Sequence, residues 1–278
     1  MTIFNVTKMQ GCGNDFIIAD YDEIKKSELN IEDIVKKMCD RHFGIGADGF
    51  ITINPNHSEN ADLGWLFYNS DGTPAQMCGN GMRCFAKYVY DKGIIDKKSF
   101  SVETLAGIIK PEILDNDLVK VNMGKPILQD GKIPFNGERV IDIRGHEFNI
   151  HPISMGNPHC VIFTQNSPLN MAQAYGKDIE SHKFFPEKTN VEFVKIISET
   201  EIEMCVYERG CGITLACGTG ACASTVSSIL NNFTERNVNV NLPGGVLSVE
   251  WQGSSTDLDC DVYLTGPANY SFSAVIIL

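Results

Sequence analysis

The sequence predicts a mixed α+β protein built from two similar halves. Short runs of β type are separated by turns, and four stretches have helical character, at 31–41, 80–92, 170–178 and 219–232. Strands and helices do not alternate along the chain as a doubly wound parallel sheet would require. An internal repeat, in which the same landmarks recur in the same order about 140 residues apart, predicts the two halves.

The strand predictions come from short runs that are rich in β-branched and aromatic residues. Each run is bounded by residues that favour turns, such as Gly, Pro, Asn and Asp. The predicted strands are 16–19, 50–53, 65–68, 118–122, 160–164, 192–197, 202–207, 246–251 and 262–265.

Four landmarks define the repeat. They are a Gly-Asn pair before an apolar run, a Phe-x-x-Ile run, a tyrosine that ends a strand, and a Cys-Gly-x-Gly turn ten residues later. They stand at Asn14, 50–53, Tyr68 and Cys78 in the first half, and at Asn157, 193–196, Tyr207 and Cys217 in the second. Four landmarks in register indicate two similar halves, with a boundary in the stretch 123–150, which contains several Gly and Pro residues.

The composition is that of a globular protein without a nucleic-acid partner. The 278 residues are 43% hydrophobic and 21% charged, and the net charge is −12. A phosphate backbone would need a basic stripe, and the sequence has no Lys/Arg cluster. No run approaches the roughly 20 apolar residues of a membrane span, and the first residues lack the pattern of a signal peptide. We therefore expect a cytoplasmic protein with no membrane partner.

The ten cysteines are expected to be reduced thiols. They are scattered along a chain that is long for a secreted disulfide scaffold. No Cys-x-x-Cys pair and no His/Cys group with zinc spacing occurs, so no metal site is predicted. Most unbridged cysteines are buried as small hydrophobic residues. A core position is expected for Cys39, Cys84, Cys160, Cys205, Cys222 and Cys260.

Cys78 and Cys217 differ from the other cysteines because each stands in a Cys-Gly-x-Gly turn that opens a predicted helix. Backbone N–H groups point outward at a helix N-terminus, where the helix dipole is positive. We expect this setting to lower the pKa of both thiols. The glycines let a ligand approach the backbone, so the same N–H groups can hold a carboxylate.

A pair of such thiols suits the inversion of a stereocentre next to a carboxylate. If the halves face each other across a pseudo-twofold axis, one thiolate removes the α-hydrogen and the opposite thiol returns a proton. The N–H groups would stabilise the negative charge that develops on the substrate. Taken alone, either cysteine could also be interpreted as a helix-cap residue without a function. The matching positions of the two cysteines in the repeat favour the acid–base pair.

Other motifs in the sequence each have a functional and an ordinary structural interpretation. The Gly-x-Gly-x-x-Gly run at 44–49 leads into a strand rather than a helix, so the dinucleotide context is missing. Arg209 suits a substrate carboxylate and Glu208 an ammonium, although a surface ion pair explains both equally well. Asparagines at turn edges are usually turn formers. His159 is either a loop residue or a group that relays a proton to a thiol.

The sequence resembles the diaminopimelate epimerases along nearly its whole length. The blocks that carry the resemblance are 11–16, Arg41-His42-Phe43-Gly44-Ile45-Gly46, Asn69-Ser70-Asp71-Gly72, Met77-Cys78-Gly79-Asn80-Gly81, Met155-Gly156-Asn157-Pro158-His159-Cys160, Thr189-Asn190-Val191, Glu208-Arg209-Gly210, 216–222 and Gly266-Pro267-Ala268. So many blocks in one order are specific to that family.

The resemblance implies roles for individual residues. Cys78 and Cys217 would be the two catalytic bases, and His159 and Glu208 would tune the thiol pair. The remaining residues would bind substrate. Gly79, Asn80, Gly218 and Thr219 would hold the carboxylate at the reacting centre, Asn14 and Glu208 would lie near its amino group, and Asn69, Asn157, Asn190 and Arg209 would read the distal amino-acid end.

The resemblance also implies the fold and the assembly. Each half would be a curved mixed sheet around a central helix, with the active site in the cleft between the halves. The first half would comprise 1–122 and a returning C-terminal strand at 267–278, and the second would comprise 123–266. Family members are typically cytoplasmic homodimers that act on a small amino acid and need no metal or other cofactor.

Three features depart from the family pattern and leave alternatives open. Gly49 stands where some members carry a glutamine that contacts substrate, Ile213 replaces a common glutamate, and Cys12 and Cys211 are extra thiols. These features affect substrate choice, so a racemase or epimerase of another amino acid on the same scaffold is the second hypothesis. A third hypothesis is a redox sensor in which Cys78 and Cys217 form a switchable disulfide.

Overall fold

A computed structural model describes residues 2–253 and 257–278. The chain divides into two compact units, Met1–Val121 together with Gly266–Leu278, and Asn122–Thr265. These limits differ by one residue from the predicted ranges. Within the described residues, no helix is long and apolar enough to cross a membrane.

The helices and strands are numbered in chain order. They begin with β1 (Ile3–Gly11), β2 (Asn14–Ala19), α1 (Tyr21–Lys26), α2 (Ile31–Cys39), β3 (Gly49–Asn54), β4 (Leu63–Asn69), α3 (Gly79–Asp91), β5 (Val102–Thr104), β6 (Gly107–Ile109), β7 (Pro111–Ile113) and β8 (Val119–Asn122). They continue with a short 3-10 turn (Asp130–Lys132), β9 (Val140–Ile143), β10 (His146–Asn149), β11 (His151–Ser154), β12 (Pro158–Phe163), α4 (Pro168–Glu180), β13 (Asn190–Ser198), β14 (Glu201–Glu208), β15 (Gly212–Ile213), α5 (Gly218–Leu230), β16 (Asn237–Leu242), β17 (Gly245–Trp251), β18 (Val262–Gly266) and β19 (Asn269–Ile277).

The first unit contains a seven-stranded sheet in the order β19-β1-β2-β3-β4-β5-β6. β1 and β2 are antiparallel, β2 and β3 are parallel, and β3 and β4 are antiparallel. The turn that joins β1 to β2 has two residues, Cys12 and Gly13, with φ of 55° and 85°. Positive φ at both central residues suits a tight hairpin between twisted strands. The hairpin brings Asn14 to the start of β2.

The second unit repeats this pairing pattern. Its strands follow the order β11-β12-β13-β14-β16-β17-β18, and β15 pairs with β14. β11 and β12 are antiparallel, β12 and β13 are parallel, and β13 and β14 are antiparallel, as in the corresponding strands of the first unit. The internal repeat of the sequence is therefore a repeat of strand topology.

One helix in each unit is almost wholly enclosed. α5 contacts strands from β11 to β17, so the sheet curves around it. Consecutive residues of α5, from Ala221 to Val226, are buried, which is the pattern of a helix with no solvent face. α3 contacts β1, β2, β3 and β7 and buries Met82, Cys84, Phe85, Ala86 and Val89. The mixed α+β fold and the helix at the centre of each half are confirmed.

All nine predicted strands and all four predicted helices are present, with ends that differ by at most two residues. Local pattern did not predict α1, β1, β16 or the remaining short strands, whereas the family resemblance implied the returning strand β19. Five of the six cysteines that were expected in the core are buried. The expectation was wrong for Cys260, which is partly exposed in the loop before β18.

Candidate active site

Cys78 is the N-cap residue of α3, with extended backbone at φ −143° and ψ 120°. The helix begins at Gly79, and both Gly79 and Asn80 are buried. The first N–H groups of a helix have no intrahelical acceptor, so they are available to an anion beside Cys78. The Cys78 residue is half-buried.

Asn14 connects the Cys78 thiol to a buried polar network. Its Oδ1 lies 3.6 Å from Sγ of Cys78 and accepts a hydrogen bond of 3.3 Å from Nδ2 of Asn80. Oδ1 of Asn80 accepts from the guanidinium of Arg83 at 2.9 Å, and Nε of Arg83 donates to the carbonyl of Pro267. Arg83 is fully buried. This network fixes the amide of Asn14 beside the sulphur.

A cluster of four charged residues holds Asn14 from the other side. Asp48 accepts hydrogen bonds from Nδ2 of Asn14 at 2.8 Å and from the guanidinium of Arg41 at 2.7 Å. Arg41 and Lys8 both pair with Asp15, at 2.8 Å and 2.9 Å. Burial raises the pKa of Asp15, but the hydrogen bonds from Arg41 and Lys8 outweigh it and lower the pKa to about 2. Asp15 is therefore ionised at neutral pH, and its ion pairs with Arg41 and Lys8 lie beside the β1–β2 hairpin.

Asn69 lies apart from these networks, on the exposed turn that follows β4. Its Nδ2 donates to Oγ1 of Thr73 at 3.0 Å, and Asp71 accepts from both the hydroxyl and the backbone of Thr73. These bonds are typical of an Asx-type turn. The structure shows Asn69 as a turn residue, and its predicted contact with substrate stays a prediction.

Cys217 is the N-cap residue of α5, in the same position as Cys78 on α3. Its sulphur accepts a hydrogen bond from the backbone N–H of Gly220 at 3.4 Å and lies 3.5 Å from Oγ1 of Thr219. The thiol is buried, with 7% exposure. Burial and the carboxylates of Glu208 and Glu192 raise its pKa well above the usual value, despite opposing bonds from Thr219 and Gly220.

The pKa of Cys217 corrects one sequence-based expectation. A helix N-terminus was expected to lower the pKa of this thiol, and that expectation is wrong in this structure. The reason is that desolvation and two nearby carboxylates disfavour the thiolate more than the two hydrogen bonds favour it. The resting form of Cys217 is the thiol, which is the form that donates a proton.

His159 lies in a chain of polar contacts that ends at Cys217. Its Nε2 is 3.0 Å from Oδ1 of Asn157, and Nδ2 of Asn157 donates to Oγ1 of Thr219 at 3.3 Å. Its Nδ1 is 2.7 Å from Oε1 of Glu192, and both side chains are fully buried. Glu192 is the one member of these contacts that the sequence did not predict.

The Glu208-Arg209-Gly210 turn is held by side chains of the same unit. Oδ1 of Asn190 accepts from the backbone N–H of Arg209, while its Nδ2 donates to the carbonyl of Pro158, both at 2.9 Å. Oε1 of Glu180 accepts from the N–H of Gly210 at 2.9 Å. The guanidinium of Arg209 is exposed and donates to a backbone carbonyl. Asn190 is 4% exposed, so in this structure it braces the turn that carries Arg209.

The predicted residues thus assemble within each unit. The first unit brings together Cys78, Asn14, Gly79 and Asn80, and the second brings together Cys217, Thr219, Asn157, His159 and Glu208. The supporting residues Arg83, Asp48 and Glu192 were not predicted. The described residues contain no group of three or more His, Cys, Asp or Glu side chains arranged to hold a metal ion.

The sequence matches the family model of diaminopimelate epimerase over residues 6–129 and 152–271. The chain belongs to the diaminopimelate epimerase family. A family member from Desulfitobacterium hafniense is 45% identical over 98% of both chains. One from Elusimicrobium minutum is 49% identical over 96% of this chain and 97% of its own.

Solved structures with distant sequences have the same fold. A phenazine biosynthesis protein of the PhzF family from Bacillus anthracis matches with a TM-score of 0.71, 16% identity and full coverage of both chains. A hydroxyproline epimerase from Agrobacterium vitis matches with a TM-score of 0.71 and 13% identity, over 99% of this chain and 92% of its own. These likenesses show that the fold of the diaminopimelate epimerase family is shared more widely.

The structure shows the surroundings of Gly49 and Ile213. Gly49 begins β3, and a Cβ atom there would lie 2.7 Å from Cε2 of Phe67 and 3.0 Å from the carbonyl of Tyr68. A side chain at this position is therefore excluded by packing unless Phe67 moves. Ile213 lies in β15 with 39% of its surface exposed, so its apolar side chain is not buried.

Proposed function

We propose that this chain interconverts LL-2,6-diaminopimelate and meso-diaminopimelate without a cofactor, in lysine and peptidoglycan-precursor biosynthesis. Cys78 and Cys217 are the two bases of the reaction. One thiolate removes the α-hydrogen from one face of the stereocentre, and the other thiol delivers a proton to the opposite face. The reaction needs no redox change and no electron sink beyond stabilisation of the carboxylate.

The observation that carries this proposal is the equivalence of the two cysteines. Each is the N-cap of the enclosed helix of its unit. Each also follows the fourth strand of the shared pairing pattern, which is β4 before Cys78 and β14, with the short β15, before Cys217. Inversion at one carbon requires a base on one face and a proton donor on the opposite face. A duplicated fold that presents one thiol per copy supports that requirement.

The helix N-termini support the binding of the reacting carboxylate. The backbone N–H groups of Gly79 and Asn80 on α3, and of Gly218 and Thr219 on α5, open their helices beside the two thiols. Their partial positive charge favours an anion. It also favours the additional negative charge that the substrate carries when the α-hydrogen leaves.

Further polar residues support recognition of a second amino-acid end. Arg209 is exposed and lies on a braced turn, which suits a bidentate bond to a carboxylate. Asn69, Asn157 and Asn190 supply amides for the distal ammonium and carboxylate, and Asn14 and Glu208 serve the amino group at the reacting centre. His159 and Glu208 influence the ionisation of the thiols.

Hydrogen exchange in heavy water tests the proposal. LL-diaminopimelate incubated with reduced protein in D2O should gain deuterium at one α-carbon and yield the meso isomer. Cys78→Ser and Cys217→Ser should each abolish inversion, whereas Cys211→Ser, which changes an exposed thiol, should leave it intact. Full inversion by either of the first two variants would refute the two-thiol mechanism.

Ile213 favours a second candidate function, in which the substrate is an amino acid other than diaminopimelate. An exposed apolar side chain where relatives carry a glutamate suits a racemase or epimerase of another amino acid. Exchange of the α-hydrogen should be compared for diaminopimelate and a panel of amino acids with one carboxylate. Faster exchange with a monocarboxylate would replace the first candidate by the second.

The proposal includes a cytoplasmic homodimer. Support comes from β19, which is the edge strand of the first sheet and exposes Phe272, Val275 and Ile277 to 46%, 63% and 61%. Exposed apolar edges invite pairing with a second chain. Light scattering should give twice the mass of one chain, and Val275→Lys should yield monomers. A monomeric wild-type protein would contradict this part of the proposal.

A further inference from the structure

Glu192 is a carboxylate in an unusual place. It lies in β13 between Val191 and Phe193, and all three side chains are fully buried. Burying a carboxylate is unfavourable unless it is paired and hydrogen-bonded. Oε1 pairs with Nδ1 of His159 at 2.7 Å, while Oε2 is buried and has no hydrogen-bond partner within the described part of the chain. An apolar residue would serve the packing of this strand better.

The carboxylate lies under the N-terminus of α5. A Cβ atom built on Gly220 would be 2.8 Å from Oε1 of Glu192 and 3.3 Å from Sγ of Cys217. The absence of a side chain at Gly220 therefore lets the carboxylate and the thiol approach the same turn of the helix. The positive end of the helix dipole stabilises a negative charge there. Burial and Glu192 also raise the pKa of the neighbouring Cys160.

The directions of the hydrogen bonds between Glu192 and Cys217 depend on His159. A carboxylate oxygen only accepts, so Nδ1 of His159 carries the hydrogen toward Glu192. Oδ1 of Asn157 also only accepts, so Nε2 of His159 carries the hydrogen toward it, and this arrangement has a hydrogen on both ring nitrogens. Nδ2 of Asn157 donates to Oγ1 of Thr219. With its oxygen occupied as an acceptor, the Thr219 hydroxyl is left to donate to Sγ of Cys217. In this orientation the sulphur receives hydrogen bonds from both Thr219 and Gly220, an arrangement that stabilises a thiolate.

We propose that Glu192 is a positioning residue of the epimerisation, which orients His159 so that the chain through Asn157 and Thr219 donates a hydrogen bond into the Cys217 sulphur. This inference rests on the proposed function, because it assigns a role in the step that Cys217 performs. Glu192 does not touch substrate. It acts by accepting from Nδ1 and fixing the rotamer of His159, so that Nε2–H donates to Asn157 and sets the direction of the links that follow.

Two substitutions test the coupling. Glu192→Gln keeps the shape but removes the charge, and Thr219→Val keeps the shape but breaks the chain at its last link. We expect Glu192→Gln to lower kcat at least about fivefold with KM nearly unchanged, and to have little further effect in the Thr219→Val background, since residues in one network are not additive. A smaller loss of kcat, or an equal loss in both backgrounds, would overturn the proposal.

Controls separate this role from a structural one. Ser224→Ala alters another buried polar side chain of the second unit, which bonds to Met204 and to none of the residues between Glu192 and Cys217. Its kcat should stay within about twofold of wild type. Thermal unfolding establishes that each variant is folded. If Glu192→Gln does not fold, a measurement on the wild-type protein still tests the proposal. Nitrogen-15 NMR reports which nitrogens of each histidine ring carry hydrogen, and the His159→Gln variant assigns the His159 signals.

The NMR result has a definite expectation. The His159 ring should carry hydrogen on both nitrogens, and a ring with hydrogen on only one of them would overturn the proposal. Wild-type protein that fails to epimerise diaminopimelate would instead refute the proposed function, and the ring nitrogens that carry hydrogen in the same sample would still test the role of Glu192 in orienting His159.

Discussion

The Sγ atom of Cys78 lies 3.6 Å from Oδ1 of Asn14, and the same amide donates from Nδ2 to Asp48 at 2.8 Å. The amide is thus a neutral spacer between a thiol and a carboxylate. Asn14→Asp should raise the pKa of Cys78, because a second negative charge beside the sulphur disfavours the thiolate. The acidic limb of the pH profile of kcat/KM should therefore move to higher pH, with a loss at neutral pH of about tenfold or more.

The matched control for this charge is Asn56→Asp. Asn56 lies in an exposed turn of the same unit, so its replacement changes the net charge equally but not the field at Cys78. Its pH profile should coincide with that of the wild type. An Asn14→Asp profile that also coincides with the wild type would show that Asn14 does not act on the thiol.

Asp15 predicts a pH dependence of stability. Burial opposes its charge, but Arg41 and Lys8 lower its pKa in the folded protein to about 2, from 3.8. A lowered folded pKa stabilises the fold above the unfolded pKa, and this contribution is lost as the pH falls from about 4 to about 2. Asp15→Asn should cost about 2 kcal/mol of unfolding free energy at pH 6, and the difference should shrink toward pH 2.

Chemical denaturation of the wild type and Asp15→Asn across this pH range measures the effect. The expected result is two curves that converge as the pH falls. Curves that stay parallel down to pH 2 would mean that the ion pairs of Asp15 with Arg41 and Lys8 do not contribute to stability.

Local pattern predicted the elements that carry the chemistry. Each Cys-Gly-x-Gly turn joins a β-rich run to a helix, and glycines at a helix start are a local signal. The missed strands lack such signals. β16 alternates Asn with Val and Leu, and Asn disfavours strands. β1 pairs with β19, whose residues lie more than 250 positions later in the chain, so its register depends on contacts that no local pattern encodes.

Glu192 was missed for a different physical reason. A predicted strand with one acidic residue is ordinarily read as a strand with one solvent-facing side chain. β13 is buried on both faces from Asn190 to Val194, so its acid has no exposed face to occupy. The available signal was a single carboxylate inside a continuous apolar run, which is the pattern of a strand covered on both sides. Its partner, His159, lies 33 residues earlier and is adjacent only through strand pairing.

The packing around Gly49 predicts that any side chain at this position destabilises the protein. A Cβ atom would lie 2.7 Å from the Phe67 ring, and overpacking of this kind costs about 1–3 kcal/mol. Gly49→Ala should lower the unfolding free energy by about that amount. Gly131→Ala, where a Cβ meets nothing within 4 Å, is the control and should change stability by less than about 0.5 kcal/mol. Equal stability of Gly49→Ala and wild type would show that Phe67 yields readily.

The raised pKa of Cys217 predicts how this thiol reacts. Burial raises the pKa most, and the carboxylates of Glu208 and Glu192 raise it further. The thiolate is the nucleophile toward alkylating reagents, so Cys217 should react slowly with iodoacetamide at pH 7 and faster as the pH rises. Glu208→Gln removes one of the opposing charges and should lower the pKa, which increases the alkylation rate at pH 7 by about fivefold or more.

Mass spectrometry of the peptide that contains Cys217 measures this rate directly, separately from the other nine thiols of the chain. Glu203→Gln is the control, because Glu203 lies on the same strand as Glu208 but on its exposed face. It should leave the rate unchanged. If Glu208→Gln slows alkylation, then Glu208 favours the thiolate by accepting or relaying its proton, and its electrostatic opposition to the Cys217 thiolate would be refuted.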